Sequence, residues 1–223
     1  IQSCQPAGNR WPRSRHSLIP DYLMEMIHLT IIFQTFVYMI IAKSYYSLRY
    51  GVAPVEDLVK RAVSYGMDHL CLADINNTSG VVELVRYCHE AGIRPIAGIE
   101  FRNGDQWLYT GVALNNNGFY HLNDFLSRYR LTGRQLPSRP ERMEDVVFIY
   151  PYRQVAFSDL ADQEYIGIRP GDLNRVIGNE YPLSAPGMIM LQPVTFMKQD
   201  EPEIHRHLRA IDHNTLLSHL DEL

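Results

Sequence analysis

The chain has 223 residues, 46% of them hydrophobic, with 21 Lys and Arg against 25 Asp and Glu, giving a formal net charge of -4. This length suffices for one compact domain with its own core, and the negative charge disfavours a free-standing domain that grips nucleic acid through its phosphates. The three scattered cysteines, Cys4, Cys71 and Cys88, lack the spacing of a zinc knuckle or a disulfide framework. They fit a reducing compartment, and we expect a cytoplasmic protein.

The amino-terminal stretch differs from the rest of the chain. Residues 1–20 show no hydrophobic periodicity, and residues 27–42 form an apolar run that is interrupted by polar side chains. A helix that spans a membrane needs about 20 mostly apolar residues, so a membrane anchor here is only a minor alternative. We expect residues 1–38 to be a poorly ordered or spurious extension, and residues 39–223 to form one domain.

From about residue 36, short apolar runs alternate with amphipathic segments, a pattern typical of βα units. Strands are predicted at residues 36–42, 69–72, 95–99, 107–114, 146–150, 165–168 and 188–191. Helices are predicted at residues 54–65, 79–90, 119–130, 172–177 and 201–211. About seven strands with intervening helices can form a closed barrel or an open doubly wound sheet, and periodicity alone does not choose between them.

Polar residues follow several of the predicted strands. Functional side chains of α/β folds cluster just beyond the carboxyl ends of strands. The residues at such positions are Lys43, Ser44, Asp74, Asn76, Glu100, Gln192 and Thr195. Two carboxylates, Asp74 and Glu100, could therefore meet the amine of Lys43 at one face. The competing interpretation is that each is a helix cap, a loop hydrogen bond or a surface charge.

Other sequence signals of chemistry are weak. The chain has no phosphate-binding loop, no dinucleotide fingerprint, no nucleophile elbow and no aspartate pair like that of a polymerase palm. The nine histidines offer no metal ligand set; His205 and His207 lie two apart on a predicted helix and point in different directions. An aromatic and basic cluster could stack on bases, although packing at a barrel mouth is the commoner use. Its members are Tyr45, Tyr46, Arg49 and Tyr50.

Six motifs follow one another along the chain. They are SYYSLRYG at 44–51, EDLVKRA at 56–62, LADIN at 72–76, GIRPIAGIE at 92–100, ALNNNGFYHL at 113–122 and HRHLRAI at 205–211. In this order they resemble the amino-terminal PHP domain of the bacterial DNA polymerase III alpha subunit. The resemblance covers about residues 39–220 and implies a distorted seven-stranded α/β barrel, a (β/α) barrel of the PHP type.

The resemblance also implies a site for two or three metal ions, held by His and carboxylate ligands, from which this sequence departs. Ile41 and Lys43 replace the two histidines of the first motif, and Ile75 replaces the histidine of the second. Asp74 and Glu100 match the pattern. Isoleucine cannot coordinate a metal, and a protonated lysine offers no lone pair.

Two later ligand positions are also changed. A histidine expected near Leu108 is absent, and Pro193 and Thr195 stand around the late D-x-H motif. We therefore expect Lys43, Asp74 and Glu100 to be a vestigial PHP site with no catalytic and no metal-binding residue. Lys43 is expected to occupy the former metal space and to pair with Asp74, Glu100 or both, because two uncompensated carboxylates would repel each other.

The function implied is a non-catalytic structural or partner-binding module of a DNA replication enzyme, the DNA-directed DNA polymerase, a nucleotidyltransferase. We expect a fragment of that polymerase, with no cofactor of its own. Its expected partners are the rest of the alpha subunit and other replisome subunits, with indirect or weak DNA contact and no membrane contact. The alternative function is a metal-dependent phosphoesterase or 3′–5′ proofreading exonuclease, which would require metal-activated water.

Overall fold

Seven strands close into a ring in the computed structural model, which describes residues 37–177 and 187–220. The strands are β1 (Val37–Ala42), β2 (His69–Ile75), β3 (Arg94–Asn103), β4 (Gln106–Ala113), β5 (Val146–Pro151), β6 (Glu164–Ile168) and β7 (Met188–Val194). Strands that are consecutive in sequence are neighbours in the ring, and β7 pairs with β1 to close it. The fold is therefore the α/β barrel, and the open doubly wound sheet is excluded.

One strand runs against the others. Strand β4 is antiparallel to both β3 and β5, whereas every other neighbouring pair is parallel. A short turn joins β3 to β4, so no helix intervenes between these two strands. The amino end of β4 consequently lies at the same end of the barrel as the carboxyl ends of its neighbours, and we call this end the barrel mouth.

Five helices accompany the strands. They are α1 (Val55–Ser64), α2 (Val81–Ala91), α3 (Asn116–Thr132), α4 (Leu173–Ile177) and α5 (Glu201–Asp212). Helix α3 begins three residues before the predicted start because the side chain of Asn115 accepts hydrogen bonds from the backbone N–H groups of Asn117 and Gly118. Single-turn 3₁₀ helices lie at Phe157–Asp159, Pro170–Asp172 and Leu217–His219.

Strand residues alternate between the barrel interior and the outer layer, as the two-residue period of a strand requires. One buried cluster fills the interior: Ile41, Cys71, Ala73, Val112, Ile149, Ile189 and Leu191. Intervening residues such as Ala42 and Leu72 pack outward against α1 and α2. A second outer cluster, rich in aromatic rings such as Phe101 and Phe125, lies between β3, β4, β5 and α3. This alternation fixes which polar side chains face the mouth.

Most of the amino-terminal prediction lies outside the described residues. The expectation for residues 1–38 falls on residues that the structure does not describe, apart from the first two of β1, which begins at Val37. The last six residues of the apolar run at 27–42 are β1 itself. No helix in the described part of the chain has the length and the apolar character needed to cross a bilayer.

Candidate functional site at the barrel mouth

The strand register places Lys43 and Glu100 on the interior face at the mouth. Lys43 lies two residues beyond the interior-facing Ile41 and directly follows β1. Glu100 is the Cα partner of Ile75 across the parallel β2–β3 pair, and paired residues face the same side of a sheet. Both side chains are almost completely buried, each residue being 2% exposed. The barrel thus carries two opposite charges in its interior.

These charges form an ion cluster with a third residue. The Nζ atom of Lys43 lies 2.7 Å from Oε2 of Glu100, and the guanidinium of Arg102 lies 2.6 Å from the other carboxylate oxygen. Arg102 donates to that oxygen through its Nε as well. Each oxygen of Glu100 therefore faces its own cation. We call Lys43, Glu100 and Arg102 the mouth cluster.

Electrostatics keep Glu100 ionised despite its burial. Desolvation raises the pKa of a buried carboxyl, but the charges and hydrogen bonds of Lys43 and Arg102 outweigh this effect, and the pKa of Glu100 lies below its ordinary value. The pairing expected for Lys43 is thus made with Glu100. No ion pair between Lys43 and Asp74 is present among the described residues.

Asp74 faces the other way. Its Cα partner in β3 is Ile99, which belongs to the outer core, whereas Glu100 pairs with Ile75 on the interior side. The expectation that Asp74 and Glu100 would meet at one face is therefore wrong. The physical reason is the alternation of strand residues, since β2 continues through Ile75 and adjacent positions point to opposite faces.

Asp74 instead organises the loop after β1. Its carboxylate accepts hydrogen bonds from the backbone N–H of Ser44 at 2.7 Å, the Ser44 hydroxyl at 2.8 Å and the Ser47 hydroxyl at 2.7 Å. Burial nevertheless raises the pKa of Asp74, because these hydrogen bonds compensate only in part for desolvation. Asp74 is therefore a loop-binding carboxylate, which was the competing interpretation for this residue.

Tyr50 connects the mouth cluster to α5. The Arg102 guanidinium lies 4.7 Å from the centroid of the Tyr50 ring, and that of Arg209 lies 5.6 Å from it. His205 packs edge-on against the same ring at 4.5 Å, and its Nδ1 lies 2.6 Å from the Tyr50 carbonyl oxygen. Burial lowers the pKa of His205. The neutral ring then donates its Nδ1 proton to that carbonyl.

Two further interior-facing groups lie beside the cluster. Trp107 is the Cα partner of Arg102, and its Nε1 donates to Thr110 at 3.2 Å. The Arg169 guanidinium stacks 4.3 Å from the centroid of the indole. Neither was predicted as a site residue. Arg102 lies three residues past the predicted end of its strand, within the observed extension of β3 to Asn103. Arg169 directly follows the predicted strand at 165–168, as Lys43 follows the strand at 36–42, but was not chosen as a candidate.

The other candidate residues do not join the mouth cluster. Tyr45 and Tyr46 both donate to the carboxylate of Glu83 in α2, at 2.8 and 3.1 Å, which favours packing over base stacking. Asn76 exchanges two hydrogen bonds with the backbone of Arg102. Gln192 and Thr195 make no ion pair or hydrogen bond with the cluster among the described residues. The mouth cluster therefore contains fewer of the residues at strand ends than the sequence predicted.

Comparison with known proteins identifies the family. The family model for the PHP domain matches residues 42–172, which is more than half of the chain. The chain belongs to the PHP domain family.

Known relatives are much longer than this chain. It is 36% identical over 89 residues to the DNA polymerase III subunit alpha of Escherichia coli K12, an alignment that covers 37% of the chain and 8% of that protein. It is 34% identical over 93 residues to the error-prone DNA polymerase of Symbiobacterium thermophilum, covering 42% of the chain and 8% of the relative. This PHP domain is therefore related to bacterial polymerases of the alpha-subunit type.

A solved structure is also similar at low identity. An amidohydrolase from Chromobacterium violaceum matches with a TM-score of 0.33 and 13% identity, covering 79% of this chain and 83% of that one.

The residues at the mouth of this PHP domain do not fit the metal cluster that the family implies. Both oxygens of Glu100 already face cationic side chains, and a metal ion there would meet the charges of Lys43 and Arg102 at close range. Within residues 37–177 and 187–220, no group of three or more His, Cys, Asp or Glu side chains is placed to hold a metal ion. No chemical step through a metal follows from this site.

Proposed function

We propose that this chain is the PHP domain of a DNA polymerase III alpha subunit and acts there as a non-catalytic structural and partner-binding module. The observation that supports this most is the occupation of both Glu100 oxygens by Lys43 and Arg102. In this proposal Lys43, Asp74 and Glu100 are a vestigial PHP site. The ammonium and guanidinium supply the positive charge that metal ions would otherwise bring to the carboxylate.

The proposal also explains why the substituted positions tolerate their new residues. Ile41 joins the apolar interior cluster, so a side chain that cannot bind metal contributes to packing. Asp74 keeps its carboxylate to bind two serines of the adjacent loop. Under this proposal the domain needs no cofactor, touches DNA only indirectly or weakly, acts in the cytoplasm, and meets the remainder of the alpha subunit and other replisome subunits.

Metal addition tests the proposal directly. A ligand present at 100 times its Kd raises the stability of the folded state by about 2.7 kcal/mol, which thermal unfolding detects readily. We expect EDTA, Mg²⁺, Mn²⁺ and Zn²⁺ to leave the Tm of the purified chain unchanged, and elemental analysis to find no stoichiometric metal. We also expect no hydrolysis of bis-p-nitrophenyl phosphate above the uncatalysed rate.

The matched control is Glu100→Gln, which removes the carboxylate that a metal would require. Stoichiometric metal together with hydrolysis that Glu100→Gln abolishes would replace this proposal with the metal-dependent phosphoesterase or exonuclease. Hydrolysis that survives Glu100→Gln would be assigned to a contaminating enzyme, and the proposal would then stand on the metal content and the Tm values.

A further inference from the structure

Arg169 adds a cation to the interior side of the barrel mouth. Gly167 in β6 faces the interior, since a Cβ atom added there would meet Ile149 and Leu191 of the interior cluster. Side chains two residues apart on extended backbone point to the same face, so Arg169, which directly follows β6 and is itself extended, also points inward. Its guanidinium stacks over the indole of Trp107, which packs against the same interior cluster.

The guanidinium of Arg169 has no carboxylate partner within residues 37–177 and 187–220. Asp172, the nearest carboxylate along the chain, accepts from the backbone N–H of Arg169 at 3.4 Å and lies 4.0 Å from Arg175. The Nε of Arg169 is buried and has no hydrogen-bond partner in the described part of the chain. A buried donor on a charged group is unfavourable without an acceptor, so Arg169 can still gain from an anionic partner.

The interior side of the mouth therefore carries a surplus of positive charge. Three cationic side chains, those of Lys43, Arg102 and Arg169, lie there with the carboxylate of Glu100. Three positive charges against one negative charge leave a surplus of two. The net charge of the whole chain is -4, so the mouth differs in sign from the chain as a whole.

Neighbouring charged residues do not remove this surplus. Arg209 of α5 contacts Asp105 and Asp212, and Arg49 pairs with Asp212 at 3.3 Å, so two cations face two carboxylates in this layer. Asp74 lies on the outer side of β2, where it accepts hydrogen bonds from two serine hydroxyls of the adjacent loop. The two excess positive charges of the interior side thus stay uncompensated by the described residues.

The outer part of the surplus is accessible. Trp107 and Arg169 are only partly buried, and the side chain of Arg102 is 10% exposed, whereas Lys43 and Glu100 are buried. A guanidinium binds an oxyanion in its own plane through parallel N–H groups. Because Arg169 stacks with its face against the indole, the edge that makes such hydrogen bonds is not used by Trp107.

We propose that the barrel mouth binds a dianionic phosphate group, held by the side chains of Arg169 and Arg102 and not by a metal ion. A phosphate group carries about 1.5 to 2 negative charges near neutral pH, which matches the surplus of two. Free phosphate and the terminal phosphate of a monoester share this chemistry, whereas an internal phosphodiester carries only one negative charge. The inference rests on the proposed function in one respect, namely that no metal ion occupies the mouth.

Isothermal titration of the full chain in EDTA at constant ionic strength tests the site. The probe is inorganic phosphate, for which we expect saturable binding. Dimethyl phosphate, a singly charged diester, should bind more weakly by about tenfold or more. Phenyl phosphate distinguishes the two sources: binding of both dianions assigns the site to phosphate monoesters, and binding of inorganic phosphate alone assigns it to free phosphate.

Variants locate the binding on the protein. Arg169→Met should weaken phosphate binding by about tenfold or more, and Arg169→Lys should fall between this variant and the wild type, because lysine keeps the charge but lacks the parallel N–H groups. The matched control is Arg142→Met, which removes an exposed charge elsewhere and should change nothing. Glu100→Gln increases the positive surplus and should retain or strengthen binding. Thermal unfolding verifies that each variant folds.

Three outcomes would overturn the proposal and leave the proposed function standing. They are absence of saturable binding, equal loss of affinity in Arg169→Met and Arg142→Met, and binding of dimethyl phosphate as tight as that of inorganic phosphate. A fourth outcome would overturn both: phosphate binding that appears only without EDTA and is abolished by Glu100→Gln, because the phosphate would then be held by a metal ion.

Discussion

Lys43 and Arg102 share one buried carboxylate, and this arrangement determines what each of them contributes to stability. A buried ion pair gains little over well-packed apolar residues, but removing one partner leaves a buried charge without compensation. Glu100 keeps one cation when the other is lost, because each of its oxygens faces a different side chain. The cost of losing one cation should therefore be moderate.

We expect Lys43→Met to lower the free energy of unfolding by about 1–4 kcal/mol, at or below the range for breaking a buried pair. Methionine fills similar volume without the charge, so the loss reports electrostatics more than packing. Urea unfolding of the variant and the wild type measures the difference.

A double-mutant cycle identifies the partner of Lys43. Lys43→Met with Glu100→Gln should cost less than the sum of the single changes, with an interaction energy of about 0.5–3 kcal/mol, as for residues in one ion network. Lys43→Met with Asp74→Asn is the matched control and should be closer to additive, because Asp74 binds Ser44 and Ser47 instead. Stronger coupling to Asp74 than to Glu100 would contradict the observed geometry.

The pH dependence of stability should carry the signature of Glu100. Its pKa in the folded chain is lower than the ordinary 4.5, so its contribution is fully present above that value and is lost as the pH falls through the folded pKa. We expect the stability difference between the wild type and Glu100→Gln to shrink as urea unfolding is repeated from neutral pH to about pH 3.

Asp74 should make the free energy of unfolding depend on pH in the opposite direction to Glu100. Its raised pKa means that the fold favours the protonated form, so its contribution falls as the pH rises from the unfolded pKa through the folded one. Asp74→Asn therefore serves as the comparison that separates the two carboxylates. A wild type and a Glu100→Gln variant that lose stability in parallel on acidification would exclude the role assigned to Glu100.

At the scale of elements, the number, type and order of the strands and helices could be predicted from hydrophobic periodicity. Seven strands and five helices were predicted in the right order, because apolar spacing reports directly which face of an element is buried. The ends of the strands and helices were harder to predict from the sequence. The predicted strand at 69–72 stopped before Asp74, so its alternation could not be followed to the mouth, whereas β2 continues to Ile75 and turns Asp74 outward.

Arg102 was missed for a related reason. The predicted strand at 95–99 ended before it, and a shift in strand register between Phe101 and Arg102 lies in the extension that the sequence did not reveal. A local irregularity of this kind depends on the pairing strand, which is β4, and not on the sequence of β3 alone. Pairing between elements, and not propensity, therefore placed the third member of the mouth cluster.

The Asn115 cap at the start of α3 is a local sequence signal whose contribution to stability can be measured. The Asn115 side chain accepts from the N–H groups of Asn117 and Gly118 at 2.9 and 3.1 Å, which fixes the start of the helix. Asn115→Ala should lower stability by about 0.5–2 kcal/mol, and Asn115→Asp should lose much less because the cap is retained. Chemical denaturation of both variants measures this; equal losses would show that the cap contributes little.

For the described chain as a whole, α5 joins segments that are distant in sequence. Arg209 is 5% exposed and contacts Asp105 in the turn between β3 and β4, as well as Asp212 at 2.6 Å in its own helix. Its guanidinium also stacks over Tyr50 from the loop after β1. These contacts of Arg209 hold α5 in place over the barrel mouth.

Loss of the Arg209 contacts should be visible in the hydrogen exchange of backbone amides. We expect Arg209→Met to accelerate amide exchange in α5 and in residues 44–51, while β5 and β6 remain protected, because local opening precedes global unfolding. Arg206→Met, an exposed change on the same helix, is the matched control and should leave exchange unaltered. Uniform acceleration throughout the barrel would instead indicate a general loss of stability.

The pairing of β1 with β7 also has a consequence for the order of folding. The β3–β4 hairpin joins near neighbours in sequence, whereas ring closure pairs Val37 with Ile189 and Ala42 with Val194. Contacts between distant residues pay more loop-closure entropy, so they form slowly. During synthesis, strands β1 to β6 would therefore leave the ribosome as an open sheet with two unpaired edges. Strands of other chains can pair with such edges. Emergence of β7 ends this exposure, and we expect ribosome-bound chains that stop before Met188 to aggregate or to recruit chaperones more readily than chains that extend past Val194.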